Sequence, residues 1–183
     1  MGLTPPRSGI IRFSGKEIQK LSAYLIPRLG IGYVPQGRRI FPLLTVLENL
    51  RTPVIDTGRE KKMLNEVFDF FPRLSERASQ AGGTLSGGEQ QMLAIARAMM
   101  CGPKLMILDE PTEGLMPLMV TLVKKSIVTM NRERNVDILL VEQNLETALE
   151  VCQRLYVIER GTMVYEKGIC DFNRSELLHV LGI

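Results

Sequence analysis

An apolar run, Leu105-Met106-Ile107-Leu108, stops at two adjacent carboxylates, Asp109 and Glu110, and then at Pro111. A strand of this kind sets its terminal acids at the carboxyl edge of a parallel sheet, where open α/β folds bind ligands. Successive strand side chains point to opposite sides, so the two acids take different roles. One suits a metal ion or its waters, and the other suits the orientation of a nucleophile. Upstream, Leu85-Ser86-Gly87-Gly88-Glu89-Gln90 reads as a helix start, with Ser86 and Glu89 spaced as a capping box worth ~1 kcal/mol. A cap does not require two consecutive glycines, each of which carries an entropic cost. Glycines at a helix N-terminus let an anion approach the backbone amides at the positive end of the helix dipole, and phosphate is the expected anion. The third stretch, Tyr33-Val34-Pro35-Gln36-Gly37, ends a short strand with a glutamine whose amide oxygen can coordinate a hard cation such as Mg2+.

The elements that must hold these residues follow from periodicity. Ile10–Phe13 and Ile31–Val34 read as short strands, the first followed by a Ser14-Gly15 turn. Residues 43–71 read as helical and 72–85 as a polar loop. Met92, Ile95, Ala96, Met99 and Met100 form a helical stripe that Gly102-Pro103 ends. From 105 to 158 the order is strand, helix, strand, helix, strand, with runs at 105–108, 138–141 and 155–158 and helices at 118–132 and around 145–152. Strands without polar alternation, separated by helices, predict a parallel sheet covered on both faces, with right-handed crossovers. Residues 174–181 read as a closing helix.

Composition excludes several classes. The chain has 183 residues, 45% hydrophobic and 23% charged, as in ordinary globular domains. No run reaches the 18 or so apolar residues of a membrane-spanning helix. The start lacks the charged-then-apolar order of a secretion signal. Three cysteines without a C-x-x-C pair and a single histidine, His179, argue against a disulfide framework, a zinc knuckle or a His-based metal centre. Net charge is +3, but residues 1–41 carry seven Lys/Arg against Glu17 alone, a basic lobe able to face phosphates or an acidic partner.

Taken together, Tyr33-Val34-Pro35-Gln36, Leu85-Ser86-Gly87-Gly88-Glu89-Gln90 and Leu105–Pro111 occur in the order and spacing of an ABC-type ATPase. Gly30–Arg38, Phe41–Val46, Thr112–Leu115 and Val141-Glu142-Gln143-Asn144 extend the match over nearly the whole chain. The sequence resembles the ATP-binding subunit of a branched-chain amino acid or urea/amide importer. The resemblance implies an α/β P-loop NTPase fold: a parallel core sheet with helices on both faces, an antiparallel β lobe and a helical signature subdomain. It implies one ABC-ATPase domain over 1–183, with a β-lobe remnant at 1–36, the helical subdomain at 37–100, and half of the RecA-like core plus a C-terminal helix at 101–183.

By the same resemblance, Gln36 is the Q-loop glutamine that contacts Mg2+ and nucleotide. Ser86, Gly87 and Gly88 are the signature that binds the γ-phosphate of ATP held by an opposite subunit. Asp109 is the Walker B aspartate on the Mg2+ shell, Glu110 the catalytic carboxylate, residues 112–117 the D-loop, and Gln143 the switch position. The implied cofactors are ATP and Mg2+. The implied partners are a second ATPase subunit, identical or not, and transmembrane permease subunits, with no nucleic acid. The implied location is cytoplasmic, peripheral on the inner face of the cell membrane. In this family a separate binding protein and the permease select the substrate. The apolar stretch 40–71, with Ile40, Phe41, Leu43, Leu44, Phe68, Phe70 and Phe71, is a candidate permease-docking lobe or subdomain core.

The sequence departs from the family in holding no G-x-x-x-x-G-K-[ST] phosphate loop, as though the match began just after it. The expectation is an N-terminally incomplete domain with little or no ATP binding or hydrolysis alone. Losing three charge-assisted hydrogen bonds removes roughly 5–9 kcal/mol. The strand that carries the loop in the family lies between the 138–141 and 155–158 strands, so both are expected to present unpaired edges. Gln143 stands where most ABC ATPases have His, and Met116 where Asp is commoner. A second reading is a catalytically dead subunit that donates its signature motif to another ATPase. An ABC-type ATPase of DNA repair is disfavoured by the absence of heptad tracts, and an oxidoreductase by the absence of G-x-G-x-x-G.

Overall fold

The computed structural model describes residues 1–54 and 57–181. Two compact units divide the chain, Met1–Val141 and Glu142–Ile183.

The first unit opens with a two-strand ribbon, β1 (Arg12–Phe13) and β2 (Lys16–Glu17), closed by Ser14 and Gly15 at φ 48° and 76°. Positive φ at both central residues is what a two-residue hairpin demands. Two short 3-10 turns, Ala23–Leu25 and Pro27–Leu29, lead into β3 (Ile31–Val34). Helices α1 (Val46–Arg51), α2 (Thr57–Phe70), α3 (Pro72–Glu76) and α4 (Gly87–Met99) follow, then β4 (Leu105–Asp109), α5 (Pro117–Arg134) and β5 (Asp137–Val141).

Local chemistry sets most of these boundaries. Capping boxes start α1, from Thr45 and Glu48, and α4, from Ser86 and Glu89. Pro117 occupies the first turn of α5, where its missing N–H is no loss, and Asn135 ends that helix in the left-handed conformation. The predicted helix over 43–71 is α1 and α2, with residues 55–56 outside the described ones. The stretch read as a polar loop holds α3, started by Pro72, and a 3-10 turn at Gly82–Thr84. A proline read as a loop residue is equally a helix-starting residue.

The sheet runs β3-β4-β5, all parallel, with Val34 beside Leu108 and Asp109 beside Val141. Met106 and Leu108 are fully buried on one face. Helix α4 packs closely there because Gly32 has no side chain: a Cβ would stand 3.3 Å from the Ala98 carbonyl oxygen. Leu93, Ile95 and Ala96 of α4 and Val123, Ile127 and Met130 of α5 complete the core. The expectation of a sheet covered on both faces fails at β5, where Leu139 and Val141 are 50% and 48% exposed. Among the described residues, β5 pairs within its sheet with β4 alone.

The second unit contains α6 (Leu145–Val151), β6 (Arg154–Glu159), β7 (Thr162–Gly168) and α7 (Arg174–Leu181). Periodicity read the run at 155–158 as a further parallel strand, while the family resemblance read it as presenting an unpaired edge. Instead β6 pairs antiparallel with β7. Arg160 and Gly161, at φ 49° and 80°, make the two-residue hairpin turn that sets β7 against one edge of β6; the other edge is the one the family resemblance left without its neighbouring strand. Among the described residues of this unit, Leu155, Tyr165 and Leu177 are the buried hydrophobic ones, joined by buried Thr147.

Candidate functional site

The carboxyl ends of β3 and β4 bring together residues far apart in sequence. Parallel register sets Tyr33 beside Ile107. Side chains alternate along a strand, so Tyr33, Ile107 and Asp109 share a face. The Tyr33 hydroxyl donates to Asp109 Oδ2 at 3.2 Å. Burial, then the Asp109 charge, then this hydrogen bond push the Tyr33 phenol above its ordinary value, so it remains a donor.

Glu110 follows Asp109 with φ 48°, a left-handed conformation uncommon for a non-glycine residue. Its N–H is held by the Val141 carbonyl at 2.9 Å. This backbone turn swings the second carboxylate off the strand direction. Gln36, just past β3 and fixed by Pro35, meets it: Gln36 Nε2 donates to Glu110 Oε2 at 2.9 Å and to Glu113 Oε2 at 3.0 Å. Glu113 is carried there by the tight turn after β4, its N–H bonded to the Glu110 carbonyl. One amide therefore bridges two carboxylates beside a third, Asp109.

This donor set fits a Mg2+ ion bound with a polyphosphate. With both amide hydrogens directed at carboxylates, Gln36 presents Oε1 as a hard oxygen, and Asp109 presents a carboxylate steadied through one oxygen only. Mg2+ uses one or two protein carboxylates and takes its other ligands from water and phosphate. The described residues accordingly hold no three-acid cage for a metal.

The glycine-rich stretch lies at the start of α4. Ser86 is the N-cap: its Oγ accepts the Glu89 N–H at 3.4 Å, its N–H donates to Glu89 Oε2 at 2.9 Å, and its hydroxyl donates to the same oxygen at 2.8 Å. Burial works to raise the Glu89 carboxyl, but the Ser86 hydrogen bonds and the Arg77 and Arg73 charges outweigh it, holding Glu89 below the ordinary value. Arg77 Nε lies 2.9 Å from Glu89. The first intrahelical bond runs from Gln90 N–H to the Ser86 carbonyl, so the Gly87 and Gly88 amides precede the helical ladder.

Both glycines are crowded. A Cβ on Gly87 would stand 3.0 Å from the Arg38 guanidinium, and one on Gly88 would stand 2.3 Å and 2.5 Å from Met119 Cε and Cγ. Arg38 Nη1 also reaches Gln90 Oε1 at 3.4 Å. Two connections thus touch both parts of the site. The turn after β3 sends Gln36 to Glu110 and Arg38 to the start of α4. The stretch after β4 sends Glu113 to Gln36 and Met119 to Gly88.

Among the predicted residues, Gln36, Asp109 and Glu110 cluster, and Ser86, Gly87 and Gly88 form the helix start. Gln143 lies in the second unit, between β5 and α6, and is described there by itself. Tyr33, Arg38 and Met119 were not singled out as site residues, and Glu113 entered only within the 112–117 D-loop stretch. Tyr33 was accessible from strand alternation, and Glu113 from its three-residue spacing after Glu110. Met119 had no sequence signal and Arg38 only its place in the basic 1–41 lobe, because packing alone brings them to the glycines.

Comparison with known proteins places this geometry. The family described as ABC transporter matches residues 1–113. The high-affinity branched-chain amino acid transport ATP-binding protein BraG of Pseudomonas aeruginosa is 46% identical over 159 residues, covering 86% of this chain and 68% of that protein. The lipopolysaccharide export system ATP-binding protein LptB of Haemophilus influenzae is 34% identical over 169 residues, covering 90% of this chain and 69% of that protein. A dimeric post-hydrolysis ATP-binding cassette bound to ADP and Pi superposes with TM-score 0.79 at 24% identity, over 93% of this chain and 77% of that one.

Proposed function

Because the chain belongs to the ABC transporter ATP-binding family, with the ABC-ATPase fold and ATPase activity of that family, we propose that it powers uptake of branched-chain amino acids or urea and amides. It does so as one of two ATPase subunits docked on membrane permease subunits at the cytoplasmic face. The likeness to BraG favours this cargo over the lipopolysaccharide export named for LptB. The observation that carries the reading is the Gln36 amide bridging Glu110 and Glu113 beside the Tyr33-tethered Asp109.

In this reading each side chain has a distinct task. Asp109 and the Gln36 Oε1 would hold a Mg2+ ion, which when bound would supply charge neutralisation at the phosphates. Glu110 accepts a hydrogen bond from the attacking water and aims it. Its left-handed backbone and the Gln36 amide hold that carboxylate in place. Phosphoryl transfer is mostly positioning and charge stabilisation, so orientation of Glu110 is the main contribution of this edge. Ser86 and the Gly87 and Gly88 amides serve the γ-phosphate of a nucleotide held by the opposite subunit. Gln143, at the family's switch position, has a side-chain amide that can donate hydrogen bonds but does not titrate or transfer a proton.

The capped, glycine-started α4 also favours a second reading, donation of the signature to another ATPase subunit's site. Mixing experiments test both. The chain is combined with a BraG-type subunit whose own signature serine is replaced, and Mg-ATP turnover is measured. Restored turnover that disappears when this chain carries Ser86→Arg supports trans completion of the site. Further loss with Glu110→Gln assigns a hydrolytic role to this chain's own edge, and indifference to Glu110→Gln leaves donation alone. No restoration overturns both.

A further inference from the structure

The turn after β3 does more than deliver Gln36 to the carboxylates. Gly37, Arg38 and Arg39 have φ 78°, 67° and 50°, three left-handed residues in succession. A side chain makes that conformation unfavourable, and it persists where surrounding contacts hold it. Here α4 supplies one of them. Arg97, in the last turn of α4, donates from Nη2 to the Arg39 carbonyl at 2.6 Å, with its guanidinium 5.1 Å from the Phe41 ring centroid. Within the turn, the Arg39 N–H donates to the Gly37 carbonyl at 2.7 Å.

So held, the turn sends the partly buried Arg38 side chain onto the first turn of α4. Both terminal nitrogens of its guanidinium stand 3.0 Å from the position a Gly87 Cβ would take, so the missing side chain at 87 is what admits it. Nη1 donates to Gln90 Oε1 at 3.4 Å, and Gln90 is itself fixed by its Nε2 on the Leu85 carbonyl at 3.1 Å. Among the described residues, that long bond to a neutral acceptor is the polar contact of the Arg38 guanidinium. The carboxylate in the same helical turn, Glu89, is taken by Ser86 and Arg77.

A guanidinium with a neutral partner therefore stands beside the Gly87 and Gly88 amides, at the positive end of the α4 dipole. Charge, dipole and amides all favour an anion at one point, and the planar fork of arginine matches phosphate oxygens. We propose that Arg38 is a further nucleotide-binding residue, contacting the γ-phosphate at the start of α4 together with Ser86, Gly87 and Gly88. This rests on the reading of α4 as a signature that serves a nucleotide held by the opposite subunit. Two positions apart on one turn, Gln36 then serves this chain's own metal edge and Arg38 the phosphate brought by the partner.

The test is ATP-dependent association of the whole chain with a BraG-type subunit whose catalytic carboxylate is replaced by its amide, so that ATP persists. Association is followed by sedimentation as ATP is raised. Arg38→Gln is expected to raise the ATP concentration for half-maximal association at least tenfold, about one charge-assisted hydrogen bond's worth, and to flatten its dependence on KCl. Arg38→Lys, which keeps the charge and loses the fork, should fall between parent and Arg38→Gln. Lys20→Gln, at an exposed position of the same basic stretch, should change nothing. Urea unfolding of Arg38→Gln, within error of the parent, separates lost binding from lost folding. An unchanged half-maximal concentration in Arg38→Gln overturns the proposal. So does an equal shift in the Gln and Lys variants with the parent's salt dependence, which makes Arg38 a support for the turn. Ser86→Arg keeps the two possible failures apart. If it abolishes association while Arg38→Gln has no effect, the signature reading stands and the Arg38 assignment falls; if Ser86→Arg is also without effect, both fall.

Discussion

Gly88→Ala isolates what the second signature glycine does for packing before any nucleotide arrives. Alanine is a better helix former than glycine by about 1 kcal/mol, so on propensity alone the change stabilises α4. The structure opposes this. The new methyl would stand 2.3 Å from Met119 Cε and 2.5 Å from its Cγ. The methionine's end could swing away, but Cγ moves only if χ1 changes or the start of α5 shifts. Overpacking of this kind costs about 1–3 kcal/mol, so the net expectation runs from neutral to about 2 kcal/mol destabilising. The decisive quantity is a double-mutant cycle. In a Met119→Ala background the obstruction is gone, and Gly88→Ala should be neutral or stabilising by up to about 1 kcal/mol. Urea unfolding of the four proteins, with unchanged m-values, gives a coupling energy expected at about 1–3 kcal/mol. If Gly88→Ala has the same effect in both backgrounds, Met119 does not restrict this position and the packing argument is wrong.

Other outcomes follow from single contacts. Asn49 is fully buried, accepts the Phe41 N–H and donates to the Phe41, Leu44 and Thr45 carbonyls, so Asn49→Ala should lower urea stability by about 2–3 kcal/mol. The Glu89 carboxyl titrates below its ordinary 4.5 in the folded chain. Its contribution is therefore full above that value and is lost as pH falls through the lower folded value; Glu89→Gln should flatten the acid limb of a stability–pH curve. Leu139, half-exposed on the edge strand β5, invites strand addition. Leu139→Lys should slow aggregation measured by light scattering and shift stability by no more than about 0.5 kcal/mol. Tyr33→Phe should leave the fold intact and loosen Asp109, read as a higher Mg2+ concentration for half-maximal turnover in the mixed-subunit assay.

Elements written in local chemistry were legible from the residues. Ser86 and Glu89 announced α4, Gly102-Pro103 its end, and the apolar runs at 105–108 and 138–141 the parallel pair. The third run misled because its own residues are indistinguishable from a buried parallel strand. The next two residues, Arg160 and Gly161, turn the chain back and set one edge's partner, while the other edge depends on which strand lies beside it in the fold. Burial of β5 was also over-read: an apolar strand says what it prefers to touch, not whether a neighbour covers it.

By itself the sequence determined the chemical inventory and its order along the chain: an amide after one strand, a glycine-started helix, and paired acids after another. Those depend on neighbours a few residues apart, where backbone propensity and capping act. Tertiary structure decided which groups meet. Gln36 bridging Glu110 and Glu113, Tyr33 tethering Asp109, and Met119 against Gly88 join positions 31 to 77 residues apart. Such contacts are set by strand register and helix packing, which sum many weak interactions over the whole fold and leave no local mark in the residues they unite.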